Sequence, residues 1–127
     1  RRIQPTELAA LERAHQACES ARATGDCNLY YEHNETFHRC LYEAGHNTFL
    51  AEQAAALHRR LQPYRRLQLR VRNRMDVSFS EHCGIVAAVV AGDGQQAAEL
   101  LRAHVLIQGE RFSDLVATLR RINAAAG

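Results

Sequence analysis

No lysine occurs in this 127-residue chain; all 16 basic residues are arginine. A GC-rich coding sequence accounts for that bias, and no function is drawn from it. Acidic residues number 14, leaving a formal charge of +2. So even a balance does not argue for nucleic acid binding by this chain alone. Proline is scarce, with two residues, and seven glycines and four phenylalanines complete a composition that argues against β structure. No apolar run approaches the roughly 18 residues of a membrane span. The longest, Ile85 to Ala91, is a core segment at most. A secretory signal pattern is also missing, because Arg1-Arg2-Ile3-Gln4-Pro5 leads directly into a mixed, charged stretch. The four cysteines at 18, 27, 40 and 83 contain no C-x-x-C pair. They do not form a disulfide framework and read as free thiols of a reducing compartment, which places the protein in the cytoplasm. Cys18 and Cys27 read either as a facing pair across a helix turn or, more plainly, as two small semi-buried hydrophobes.

What remains is ordinary globular material, 46% hydrophobic and 24% charged. The length fits one domain over residues 1–127 with a single core. Helix signals run from end to end. Thr6 is the expected N-cap of a first helix, with Leu8, Leu11, Ala14 or His15 and Cys18 on one face and Gly25 at its C-terminus. Asp26 caps a second helix running to about Ala44, which Gly45 ends. Asn47 caps a third from about Thr48 to Arg70, which Pro63 must kink or restart. Residues 71–78 read as a loop or frayed end. Ser78 or Ser80 then caps a fourth helix ending at Ala91-Gly92. Asp93-Gly-Gln-Gln96 resembles a capping box for a last helix from about Gly94 to Ile122, followed by a fraying Ala-rich tail. No period-two alternation proposes a strand. The expected fold is all-α: five helices joined by short loops in an antiparallel bundle.

Function is sought in polar residues on stripes that should be buried. On the second helix one stripe reads Tyr30, Asn34, Phe37, His38, Leu41, and the four-residue spacing stacks Asn34 and His38 on one face. His82 shares a stripe with Ile85, Val86 and Val89. His104 shares one with Ala97, Leu100, Leu101, Ile107 and Gln108. Three neutral imidazoles and an amide oxygen facing one interior make a ligand shell for a divalent metal without burying a charge. A lone histidine on an apolar face is usually a hydrogen-bonded core group, and periodicity alone cannot show that the three stripes converge. His15, His33, His46 and His58 read as structural or solvated.

The same residues carry a family resemblance. Asn34-Glu-Thr-Phe37-His38-Arg-Cys-Leu41-Tyr-Glu-Ala44-Gly45-His-Asn47 resembles the pattern [DN]-x-x-F-H-x-x-L-x-x-A-x-x-N. Glu81-His82-x-x-Ile85-x-x-Ala88-x-x-Ala91-Gly92-Asp93 resembles E-H-x-x-I-x-x-A-x-x-x-G-D, and Ala97-Ala98 and Arg102-Ala103-His104 follow. Over about residues 6–120 the chain is similar to the FCD domain, the effector-binding domain of FadR-type regulators of the GntR family of bacterial transcription regulators. The resemblance implies an all-α antiparallel bundle of about five to six helices with a central ligand or metal cavity, in which a divalent metal, zinc or nickel, is held by Asn34, His38, His82 and His104. It implies a small organic acid whose carboxylate meets the metal or nearby polar groups, and a homodimer. DNA would be met only through an N-terminal winged helix-turn-helix, and no membrane is involved.

Two departures accompany it. The chain does not begin with Met and lacks both the winged helix-turn-helix and the helix that opens such domains. It is expected to be part of a longer regulator. The first ligand is Asn rather than Asp, which leaves a metal site one unit more positive and suited to an anion. Arg65, Arg66 and Arg70, after Pro63, are candidates for a carboxylate clamp, beside the reading that this run is a solvated face. Gln108 and Tyr30 are further candidate walls of the effector site. The competing readings are a metal-dependent hydrolase or transferase built on the three histidines and a purely structural dimerisation domain. The enzyme reading lacks an obvious general base, because Glu35 and Glu81 turn about 100° away from their neighbours on a helix.

Overall fold

A computed structural model describes the backbone of residues 3–46, 48–71 and 73–126, and the side chains of these except Leu50, 105–116, 118, 119 and 126. Five helices account for nearly all of it: α1 Pro5–Thr24, α2 Cys27–Ala44, α3 Thr48–Leu69, α4 Arg74–Val90 and α5 Gly94–Ala126. No strand occurs among the described residues. Such short connections fold each helix back on its predecessor, which gives the antiparallel bundle. Helix α1 packs on α2 and α4, α2 on α3, and α5 on α4 and α3.

Local chemistry sets most of the boundaries. Gly25 adopts the left-handed conformation at φ 72°, and its N–H and that of Asp26 return to the carbonyls of Arg22 and Ala21. A glycine takes this conformation without the steric cost of a Cβ. Asp26 caps α2 as expected, its carboxylate accepting from the Leu29 N–H at 3.0 Å. At the other end of α2 the left-handed residue is His46, at φ 58°, while Gly45 stays right-handed. The His46 ring is tied to α1, with Nε2 2.8 Å from Glu7 Oε2. Asp93 Oδ1 accepts from the Gln96 N–H at 3.0 Å and starts α5. Asn47, the expected cap of α3, lies outside the described residues.

Three expectations need correction, and a fourth, at Pro63, is narrowed. Helix α1 is capped at Gln4, not Thr6, because Pro5 occupies the first helical position, where its missing N–H costs nothing. The Gln4 N–H donates to Glu7 Oε1 at 2.8 Å and completes this end. Helix α3 continues through Pro63 as one element rather than restarting. Helix α4 begins at Arg74, a full turn before Ser78. Arg74 and Ser78 had read as loop because they are polar, yet both are buried and partnered. Finally, α5 extends to Ala126, in keeping with the helix propensity of its terminal alanines.

The core lies between α1 and α2. Leu11, Ala14, Cys18 and Ala21 form one buried stripe of α1, packed with Tyr30, Tyr31, Phe37 and Leu69. All four cysteines are free thiols; Cys18 is buried in the core and Cys27 Sγ lies 3.5 Å from the Leu69 carbonyl. Burial pushes the Cys18 thiol up to about 12. Among the described residues no helix is long and apolar enough to cross a membrane.

Candidate metal centre

Helices α2, α4 and α5 each bring one histidine to the same interior point. His38, His82, His104 and Asn34 are each at most 2% exposed. One ring nitrogen from each histidine lies within 4.8 Å of the others. The rings surround a common centre, with centroids 5.3 Å apart for His38–His82, 5.2 Å for His38–His104 and 5.0 Å for His82–His104. Phe37 forms the floor: its ring stacks on His82 at 4.1 Å between centroids.

Hydrogen bonding leaves this centre incomplete. His38 Nε2 and His104 Nε2 are 3.2 Å apart. Glu81 Oε2 lies 3.3 Å from His104 Nδ1. A carboxylate only accepts, so a proton on Nδ1 of His104 suits this ion-pair contact, and Nε2 would then present a lone pair inward. Neither ring nitrogen of His82 has a hydrogen-bond partner, nor does His38 Nδ1 or the side-chain oxygen of Asn34. A buried polar atom left unmet costs roughly 1–3 kcal/mol. Four of them in one place ask for a further group.

All three imidazoles are held neutral. Burial depresses His38 well below its ordinary value, and the neighbouring His82, Arg65 and His104 add to the effect. Burial likewise takes His82 down to about 2, assisted by His104. For His104 burial again dominates, while Glu81 pulls in the opposite direction. Neutral imidazole is the metal-binding form.

The donor set fits a divalent cation. With metal–nitrogen bonds of about 2.0–2.1 Å, two nitrogens on one ion are about 3.0 Å apart at a right angle and about 3.4 Å apart at the tetrahedral angle. The His38–His104 separation of 3.2 Å falls between these. The Asn34 oxygen, one turn before His38 on α2, is buried and without a hydrogen-bond partner.

The other residues singled out in the sequence are more scattered. Tyr30 is buried, but its hydroxyl donates to Ser78 Oγ at 2.9 Å. Arg65 turns inward against Glu35 and His58. Arg66 and Arg70 reach outward to Asn28 Oδ1 at 3.4 and 3.3 Å, and Arg66 lies over the Tyr31 ring. The side chain of Gln108 lies outside the described residues. Beside the histidines, Tyr31, Asn34, Arg65, Gln68, Leu69 and Arg74 enclose a cavity of about 10 Å³, enough for about one water. A larger open groove of about 520 Å³ lies at the α2–α3 turn, walled by Arg39, Glu43, His46 and Glu52 among others, and shares no residue with the histidine centre.

Two carboxylates and a histidine were undervalued in the sequence. Glu35 and Glu81 do turn away from Asn34 and His82, but toward neighbouring helices. Glu81 joins His104 to Arg74, whose Nη1 is 3.4 Å from Oε1. Glu35 meets Arg65 and lies 3.2 Å from His58 Nδ1, while the Tyr42 hydroxyl is 3.3 Å from His58 Nε2. Burial pushes the Glu35 carboxyl up, yet His58 and Arg65 outweigh it and hold it below the usual range. His58 is thus neither solvated nor at the centre: its ring stands edge-on to His38 at 5.4 Å. The signal that could have found these groups is the 100° step itself, because in a bundle that direction faces the next helix.

The fold and its centre define an all-helical bundle enclosing a buried cluster of polar ligands. A family model of the FCD domain matches residues 1–106, and the chain belongs to that family. FCD domains are effector-binding domains of transcription regulators of the GntR family, and the chain is such a domain. Comparison with curated proteins yields no match.

Proposed function

We propose that this domain senses a small carboxylate through a divalent metal, zinc or nickel, held by Asn34, His38, His82 and His104. The observation that carries the reading is the cluster of unmet buried donors: both nitrogens of His82, His38 Nδ1 and the Asn34 oxygen have no hydrogen-bond partner. A cation held by the facing Nε2 atoms of His38 and His104 would account for two of them at once, one nitrogen of His82 and the Asn34 oxygen. When bound, it supplies a positive charge and open coordination positions that attract an anion.

The chain's own residues do the rest. The three histidines and Asn34 contribute no charge, so a divalent ion leaves the centre at a net positive value. Arg65, its side chain 10% exposed, adds a second positive group at the wall of the adjoining cavity. A carboxylate is larger than that cavity, so entry requires a wall side chain to move, and Arg65 is the clamp that rearranges. Phe37, Tyr30 and the α1 core keep water from the opposite side. The signal passes to a DNA-binding domain elsewhere in the full regulator, which acts in the cytoplasm as a homodimer. An exposed apolar stripe on α3, formed by Leu57, Tyr64 and Leu67, offers a surface for that association. The enzyme reading gains nothing from Glu35 and Glu81, since each is engaged by an arginine and a histidine.

Metal content by mass spectrometry on dialysed protein tests the proposal, alongside a His82→Ala, His104→Ala variant. About one ion per wild-type chain, lost in the variant, is the expected result. At free zinc 100-fold above the dissociation constant, the wild type should also gain about 3 kcal/mol of stability. No ion in either protein, even after refilling with zinc or nickel, would dismiss the coordination mechanism.

A further inference from the structure

Glu81 precedes His82 on α4, but its carboxylate serves a different helix. Oε2 lies 3.3 Å from His104 Nδ1 on α5, and Oε1 lies 3.4 Å from Arg74 Nη1 at the start of α4. Arg74, 3% exposed, is also a wall of the small cavity beside Asn34 and Arg65. One carboxylate therefore connects the cavity wall to a ring of the histidine centre.

We propose that Glu81 is a positioning residue that sets how strongly His104 donates to a cation, and that Arg74 tunes it according to what the cavity holds. A carboxylate accepting from Nδ1–H fixes the ring so that the Nε2 lone pair faces inward, and it raises the electron density on that nitrogen. Arg74 draws on the other oxygen of the same carboxylate and weakens the effect. An anion in the cavity takes a share of the Arg74 N–H groups, releases Glu81 and strengthens the donation by His104. Cation and anion then favour each other's binding, and the coupling is reciprocal. This inference rests on the metal reading above and specifies how the same site is regulated.

Zinc affinity, measured by competition with a chromophoric chelator, tests it with and without acetate as the probe anion. The proteins are the wild type, Glu81→Gln, Glu81→Ala and Arg74→Met, each first checked for helicity. Glu81→Gln keeps an acceptor but loses the charge, and should weaken zinc about tenfold; Glu81→Ala should approach about 100-fold. Arg74→Met should act in the opposite direction and tighten zinc a few-fold, because Glu81 is left less neutralised and a nearby positive charge is gone. Acetate should tighten zinc in the wild type and do so less in Arg74→Met. A purely structural role for the pair would lower the thermal midpoint and weaken zinc alike in all three variants. Unchanged affinity in Glu81→Gln, or weakening in Arg74→Met to match it, would overturn the proposal. If Glu81→Ala does not fold, Glu81→Gln and Arg74→Met still decide. A wild type that binds no zinc overturns the metal reading itself, a failure read on that protein alone.

Discussion

Removing metal and lowering the pH together should expose the histidine centre as an acid-sensitive weak point. In the folded chain His38 and His82 stay neutral well below their ordinary range, and burial is the main cause. In the unfolded chain a histidine titrates near 6.5. Between those values the unfolded state binds protons that the folded state refuses, so stability is full above about pH 6.5 and falls as the pH drops. For His82 the loss continues toward about 2. Integrated from neutrality to pH 5, each such group costs the folded state about 2 kcal/mol. His38 and His82 together account for about 4 kcal/mol; His104 adds less, because Glu81 works against its depression. That is a large part of the 5–15 kcal/mol that typically holds a domain together. Most carboxylates remain ionised at pH 5, so the window isolates the imidazoles. The assay is urea unfolding followed by circular dichroism at pH 7 and pH 5 in the presence of a chelator. His82→Leu serves as the control, and its loss between the two pH values should be smaller by about 2 kcal/mol. A wild type equally stable at both pH values would refute the claim that the centre is buried and neutral. So would a His82→Leu variant with an undiminished pH dependence.

Other substitutions test the supports of the site. Tyr30→Phe strands the buried Ser78 hydroxyl and should lower stability by roughly 1–2 kcal/mol, read as a shift in the urea midpoint. Phe37→Ala removes the floor beneath His82 and should cost about 3–5 kcal/mol, with zinc affinity falling in whatever protein remains folded. Asp26→Ala deletes the cap of the helix that carries Asn34 and His38, for about 1 kcal/mol in the same unfolding assay. At Gly25 a Cβ would meet nothing within 4 Å, so Gly25→Ala should cost only the left-handed backbone penalty, about 1 kcal/mol by thermal melting.

Asn34, His38, His82 and His104 were legible in the sequence because each interrupts an apolar stripe of helical period. That pattern marks a residue as inward-facing without saying what it meets. The convergence of the three histidines on one point needed the packing of α4 against α5 and of α2 against its neighbours, which no single helix encodes. Of the two outcomes that the missing donor of Pro63 allowed, a kink or a restart, the single helix α3 rules out the restart. Thr6 misled because a good capping side chain was weighed without the fixed φ of the proline before it.

The start of α4 shows the same limit from the other side, along with the sequence signal that was available. Polar character made residues 71–78 look like a loop. Yet Arg74, Ser78, His82 and Ile85 follow one another at intervals of four, four and three, the spacing of a single helical face, and all four are buried. Had the stripe been allowed polar members, His82 would have pointed back two turns to Ser78 and Arg74, and Glu81, seven residues after Arg74, would have fallen beside them. Polar residues on that face are tolerated because they meet partners, Arg74 with Glu81 along α4 itself, and Ser78 with Tyr30 and Glu81 with His104 across the bundle. His82 is the exception, with neither nitrogen hydrogen-bonded. A helix face on which Arg74 and Ser78 each make a hydrogen bond and His82 makes none argues that the opening beside His82 is where a ligand belongs.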